Sequence, residues 1–424
     1  MRLQQMYRWA GTVWLPAALL LASAPTTARA QNVATAPTAT AGASMQAQAP
    51  SAPSFEIYGF AMLDIGHDFK QIHPNWSDTL RVTKLPSFEN EFGRDHRTFA
   101  GVRQSRLGVR SSTPTSLGDL KTTFEFELFG TGVDEGQTTF RLRHAYGELG
   151  QFGAGQTWSP FMDPDVFPNS LEYWGPTGMV FFRNVQFRWM PIQGAKSLTL
   201  ALERPGASAD QGVYEDRVEL DGIQGRFPMP DVSASYKQTM DWGYLRAAGI
   251  LRLIKWDDTV DDEFDFSDGA TGWGVNLSSN VKASENDVIR LQLAFGEGIQ
   301  NFWNDAPVDI GIENDPGNLA APIKGVALPI VGLVAFIDHT WNEKFSSTFG
   351  YSRTDIDNSD GQAPNAYKVG QYMLGNLLYT PVPNVMVGGE LQWGRRENFS
   401  DDFHSDGVKL QFSFKYNFSY KLGG

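Results

Sequence analysis

The chain has 424 residues, a formal net charge of -13 and no cysteine. The acidic balance excludes a nucleic-acid partner held by charge, and the lack of thiols excludes disulfide staples, thiolate metal sites and cysteine nucleophiles. Aromatic residues make up 13% of the sequence beside 43 glycines, yet past the N-terminus no segment offers the ~20 apolar residues of a spanning helix.

Residues 1–30 open with Arg2 and Arg8, continue through an apolar run at 10–24 that Pro16 interrupts, and end on Ala28-Arg29-Ala30. A basic start, a short apolar stretch and a small-x-small terminus specify a signal peptide cleaved after Ala30, so the chain is expected to be exported. Residues 31–54 are almost wholly Ala, Thr, Pro, Gln and Ser, the composition of a disordered periplasmic linker.

From Phe55 onward, short alternating runs are separated by Gly, Pro, Asn and Asp clusters. In the last run Val408, Leu410, Phe412, Phe414, Tyr416 and Phe418 interleave with Lys409, Gln411, Ser413, Lys415 and Asn417. Period two puts the two sets on opposite faces, one suited to lipid and the other to water. The same grammar predicts strands at 56–67, 103–111, 120–128, 140–149, 154–161, 180–190, 197–204 and 231–238. It continues at 244–256, 272–283, 288–301, 331–341, 345–355, 371–380, 385–396 and 407–418. Short turns at 113–119, 150–153, 191–196, 239–243, 284–287, 342–344 and 381–384 alternate with longer connections such as 68–98, 162–179, 205–230 and 302–330. That alternation is what a barrel with both termini in the periplasm requires. The expected fold class is all-β: a transmembrane antiparallel β-barrel of about sixteen strands over residues 55–424, in a Gram-negative outer membrane.

Such a barrel encloses water, so function is read from inward side chains. If Leu107, Val109, Phe140 and Leu142 face lipid, then Arg106, Arg110, Arg141 and Arg143 face the lumen, and the same parity turns Arg188, Arg246, Arg252 and Arg290 inward. Arg103 differs in parity from Arg106 and stays open. Guanidinium groups in a narrow bore lower the barrier for carboxylate or phosphate and raise it for cations, which makes small anions the expected solutes. The alternative is that these groups are merely solvated or brace inward-folded acidic loops, and the expectation is a mixture in which some pair with loop acids and the rest steer solute. The 162–179 segment carries Asp163, Asp165 and Glu172 among Pro164, Pro168 and Pro176. It is the candidate constriction loop, its acids set against the wall arginines, with a surface lid as the alternative.

Asp257, Asp258, Asp261, Asp262, Glu263, Asp265 and Asp268 depart from the calcium-loop spacing and are read as an exposed outer loop, with lipopolysaccharide its only implied partner. No metal and no cofactor is expected. The motifs G-x-S-x-G, H-E-x-x-H and the phosphate-binding loop are absent, and the chain is expected not to be an enzyme. The alternatives are a general, weakly selective porin, a structural or adhesion barrel, and an outer-membrane hydrolase using pairs such as His67 with Asp64 or His404 with Asp402.

Four strings carry a resemblance: RQSRLGVR from Arg103, FRLRHAYGELGQFGAGQTWSPFMDPDVFPNSLEYWGP from Phe140, FFRNVQFRW from Phe181 and NVMVGGELQWGRREN from Asn384. Each is similar to a segment of the DcaP-like family of outer-membrane porins. The resemblance covers residues 55–418, and its most specific string is Gln156-Thr157-Trp158 entering the acidic, proline-rich loop. It implies a homotrimer of sixteen-stranded barrels whose positively charged lumen favours anions such as dicarboxylates. Residues 31–54 lack the heptads of the N-terminal coiled coil that some relatives carry, and residues 419–424 follow Phe418 where an aromatic terminus is usual.

Overall fold

The computed structural model describes residues 52–423, so the expected signal peptide and most of the expected linker lie outside the described residues. The first half folds as β1 (Ser54–Asp68), β2 (Arg97–Gly101), β3 (Arg106–Thr115), β4 (Gly118–Phe129), β5 (Thr138–Leu149), β6 (Phe152–Trp158), β7 (Arg183–Ile192), β8 (Lys196–Glu203), β9 (Ile223–Arg226) and β10 (Asp231–Met240). The second half folds as β11 (Gly243–Asp258), β12 (Asp268–Lys282), β13 (Asp287–Glu297), β14 (Ile310–Asn314), β15 (Ile323–Ala327), β16 (Pro329–Thr340), β17 (Phe345–Ile356), β18 (Tyr367–Tyr379), β19 (Val385–Asn398) and β20 (His404–Leu422).

All but β14 and β15 join one antiparallel sheet, which closes where β1 pairs with β20, Phe55 opposite Leu422 and Asp68 opposite Lys409. β2 and β3 both pair with β1, and β9 and β10 both pair with β11, so each couple is one wall strand with an irregular middle. The wall is therefore a closed barrel of 16 strands, as alternation predicts. Alternation misses β2, β9 and the β14–β15 hairpin because these are short segments outside the apolar belt, with few large side chains to mark a face.

Leu107, Phe124, Phe140, Phe187, Leu251, Leu291, Leu333, Leu391 and Phe412 are exposed around the outside of the wall, the apolar band that lipid covers. The expected short turns are present at one end. β3–β4, β5–β6 and β10–β11 are two-residue hairpins, and Gly150 supplies a positive φ of 60° in the second. Among the described residues no helix is long and apolar enough to cross a membrane.

Inside, the two halves of the wall differ. Ala248, Ile250, Ala294, Val334, Phe336, Tyr372 and Leu374, on β11, β13, β16 and β18, are buried against three loops. The 69–96 loop contributes Leu80, Val82 and Leu85, the 159–182 loop Phe161, Met162, Val166 and Met179, and the 298–328 loop Ile299, Phe302 and Trp303. Each such side chain contributes about 1.5–3 kcal/mol when fully buried, so this apolar mass fixes the loops inside the barrel. The arc from β20 through β1 to β7 carries a second set of inward ionisable side chains, among them Lys409, Arg106, Arg143 and Arg183.

Candidate functional site: a cationic arc facing an inward loop

On β4, Phe124 is exposed on the outer face, and the pleat turns its neighbours Glu125 and Glu127 inward. Arg106 of β3, Arg141 and Arg143 of β5, and Arg183 at the start of β7 converge on these two carboxylates. Arg143 donates to Glu125 at 2.6 Å and to Glu127 at 2.5 Å. Arg106 lies 3.5 Å from Glu125 and 3.6 Å from Glu127, while Arg141 and Arg183 lie 3.6 and 3.5 Å from Glu127. Four guanidinium groups thus share two carboxylates, and positive charge is left over. A register shift between β4 and β5 sets Glu125 opposite His144 and Phe126 opposite Leu142, which brings both Arg143 and His144 inside.

Two further arginines extend the arc. Arg188 donates to Gln186 at 2.8 and 3.0 Å and to the Trp158 carbonyl at 2.5 Å, and forms no ion pair among the described residues, Glu203 acting on it only at longer range. Arg110, nearer the turn end, pairs with Glu56 at 2.6 Å.

The 159–182 loop folds inward and is tied along its length to the wall. Its start is held by Ser159 donating to Glu203 at 2.7 Å and by Asn276 donating to the Phe161 carbonyl at 2.8 Å. Asp163 is buried and accepts from Tyr244 at 2.8 Å and Ser278 at 2.5 Å, with Arg246 3.7 Å away. Asp165 pairs with Lys237 at 2.6 Å. At the far side the Leu171 and Glu172 N–H groups donate to Glu390 at 2.8 and 3.0 Å. The Glu172 carboxylate turns away from the arc and accepts from the N–H groups of Leu80, at 3.0 Å, and Gly175. Burial pushes this carboxyl up to about 7; the surrounding backbone N–H groups oppose the rise, and the neighbouring Glu390 charge adds to it.

The loop meets the arc through Tyr173. Its hydroxyl donates to Glu127 and accepts from Arg141 at 3.4 Å, and its ring stacks on Phe129 with centroids 3.9 Å apart.

Asp163 stands beside the wall arginine Arg246 at 3.7 Å, as expected of a loop acid set against the wall. Asp165 pairs with Lys237, and Glu172 accepts from backbone N–H groups, so these acids anchor the loop on the side away from the β3–β7 arginines. Arg246 and Arg290 point inward as parity requires, but they hold the loop backbone. Arg246 donates to the carbonyls of Pro160, at 2.7 Å, and Met162. Arg290 pairs with Asp338 at 2.6 Å and donates to the Asp165 carbonyl. Arg252 is sealed, 0% exposed, between Asp231 at 3.1 Å and Asp309 at 3.0 Å. Arg103, in the irregular stretch between β2 and β3, is buried and pairs with Asp78 at 2.7 Å. Arg106, Arg110, Arg141, Arg143 and Arg188 remain on the arc.

Sequence reasoning missed Arg183, Glu125, Glu127 and Tyr173. The two glutamates were within reach of the same parity rule, opposite Phe124 and Phe126. Arg183 was not, because it shares parity with the exposed Val185 and Phe187 yet stands at the strand's first residue, where the chain leaves the loop. Of the two suggested hydrolase pairs, His67 with Asp64 does not form: His67 bonds Thr98 at 3.0 Å and His96 at 3.3 Å, while Asp64 accepts from Gln411 and Ser413.

A closed sixteen-stranded barrel with short turns at one end and a long loop folded inside is the architecture of an outer-membrane porin. The DcaP outer membrane protein family matches residues 43–305, and the chain belongs to that family. Among solved structures, the outer membrane channel DcaP of Acinetobacter baumannii is similar at a TM-score of 0.70 and 20% identity, over 86% of this chain and 97% of that one. The anion-selective porin from Comamonas acidovorans is similar at a TM-score of 0.55 and 9% identity, over 86% and 100%. The trimer form of OmpT from Vibrio cholerae is similar at a TM-score of 0.50 and 12% identity, over 86% and 99%. At these identities the likeness is one of fold. No curated protein matches the chain. The protein is an outer-membrane porin.

Proposed function

We propose that the pore conducts small anionic solutes, carboxylates above all, by passive diffusion between the cationic arc and the Tyr173 side of the inward loop. The observation that carries this reading is the ratio of charges at the arc: Arg106, Arg141, Arg143 and Arg183 against Glu125 and Glu127. Arg188, whose side chain bonds Gln186 and forms no ion pair among the described residues, adds to the surplus. One unit charge acting on a solute charge across roughly 6 Å of water is worth about 0.7 kcal/mol, so each uncompensated guanidinium favours an anion over a neutral solute about threefold. Glu127 and Glu125 hold the guanidinium planes in place without cancelling them, which spares the solute the cost of ordering them. No covalent step is involved.

The protein works in this reading as a homotrimer in the outer membrane, its exposed apolar belt covered by lipid and by neighbouring subunits and its outer loops beside lipopolysaccharide. The test is liposome swelling with succinate, with a neutral sugar alcohol of similar size and with a cationic amine. Succinate is expected to enter fastest, and Arg141→Gln with Arg188→Gln is expected to remove most of its advantage. Equal rates for all three solutes in the unaltered protein would favour a general porin.

A further inference from the structure

The cationic arc does not stop at β3. On β20 the inward row continues through Lys409, Gln411 and Ser413 to Lys415, which stands opposite Met62 of β1 and Met386 of β19. The two lysines of this row are treated differently by the fold. Lys409 is 0% exposed, lies 3.0 Å from Asp68 and donates to the Ser77 carbonyl, so its charge is matched. Lys415 is half-buried and forms no ion pair with a carboxylate among the described residues; Asp64 acts on its charge only through space, at longer range. The nearby inward acid of β1, Asp64, instead accepts from Ser413 at 2.5 Å and Gln411 at 3.1 Å.

What holds the Lys415 ammonium is a ring. Its Nζ lies 4.1 Å from the centre of Phe60, and the Arg106 guanidinium lies 5.2 Å from the same centre. Phe60 stands opposite Arg106 in the β1–β3 register and shares the inward face with Met62, next to Lys415. An aromatic face attracts a cation through its quadrupole and carries no net charge. It fixes the ammonium in position and leaves its charge available. A hydrated, compact ammonium offers an oxyanion three rotatable donors, where guanidinium offers a planar fork, so the pair presents two kinds of donor on either side of one ring.

We propose that Lys415 and Arg106, held across the Phe60 ring, form a second anion station in the pore, and that Lys415 is its selectivity-determining residue for carboxylate groups. The station rests on the reading of the pore as anion-preferring, and it extends the arc from β7 round to β20.

The test compares the whole protein with Lys415→Gln and Lys415→Arg in planar bilayers. Two quantities are read: the chloride-to-potassium permeability ratio, and the succinate concentration that halves the chloride current. With one unit charge acting across roughly 6 Å of water, chloride loses and potassium gains about 0.7 kcal/mol, so Lys415→Gln is expected to lower the ratio about tenfold and to raise the blocking concentration of divalent succinate by a similar factor. Lys415→Arg is expected to keep both. If Lys415→Gln changes neither while Arg141→Gln with Arg188→Gln changes both, Lys415 merely packs on Phe60, and the station is overturned while the arginine reading stands. Cation preference in the unaltered protein would overturn both. Should Lys415→Gln give no folded barrel, Phe60→Leu reads the same station. It keeps the charge and releases the ammonium, and it is expected to weaken succinate block with the permeability ratio unchanged; unchanged block would overturn the proposal.

Discussion

Replacing Glu127 by glutamine should make the protein less stable and its pore more anion-selective at once. The Glu127 side chain is 0% exposed and meets Arg143 at 2.5 Å, Arg183 at 3.5 Å, and Arg106 and Arg141 at 3.6 Å each. The amide keeps the shape and one acceptor but removes the charge, leaving four guanidinium groups around Glu125 alone. Breaking a buried pair by neutralising one partner costs about 3–5 kcal/mol, because the remaining charges are left uncompensated. Arg141 is partly exposed, so the lower end of that range, about 3 kcal/mol, is expected here. The same lost negative charge, acting on a permeating ion across roughly 6 Å of water, should favour chloride and disfavour potassium by about 0.7 kcal/mol each and so raise the chloride-to-potassium ratio about tenfold. Urea unfolding of the detergent-folded barrel reads the first effect and reversal potentials read the second. Lost stability with unchanged selectivity would show that the cluster does not border the permeation path. Unchanged stability would refute the central place given to Glu127.

Arg252→Met should lose stability without a change in selectivity. The guanidinium is sealed between Asp231 and Asp309, so urea unfolding should show a loss of about 3–5 kcal/mol, while the reversal potential stays where it was. Glu172→Gln tests the loop through pH. The folded carboxyl titrates at about 7, above its unfolded value, so the wild-type stability from this group is complete below about pH 4.5 and is lost as pH rises through about 7. The glutamine variant lacks that loss. Its stability relative to wild type should therefore climb between pH 4.5 and pH 8, by up to about 3 kcal/mol, in urea unfolding at each pH. A difference that stays flat across that range would place Glu172 in contact with water.

Much of the barrel was legible because period-two alternation is imposed by lipid on one side and water on the other, and it survives wherever a strand spans the membrane. Leu107 and Phe140 point out, and Arg106 and Arg141 point in, as their spacing requires. Alternation says which face a residue takes and nothing about what it meets there. Arg252 and Arg141 obey the same rule, but loop packing seals one and leaves the other at the bore. That difference depends on Phe302, Trp303 and the long loops around them, whose contacts span hundreds of residues in sequence. The particular partners of the inward loop's acids are hidden from the sequence for a related reason. Asp163 lies amid prolines in a segment with no period, so nothing local indicates that Tyr244 and Ser278 will capture it. Strand ends defeat the rule too, as Arg183 shows by serving the cluster from a position whose parity points to lipid. The rule did reach Glu125 and Glu127, whose role became clear only once the arginines of three strands were seen to share them.

The central claim, that surplus positive charge along the β3–β7 arc sets what passes, is tested most directly by the reversal potential of the unaltered protein in a planar bilayer under a potassium chloride gradient. A potential of the sign carried by chloride, shrinking as salt screens the arc, is what the account predicts. A potential of the sign carried by potassium would contradict it.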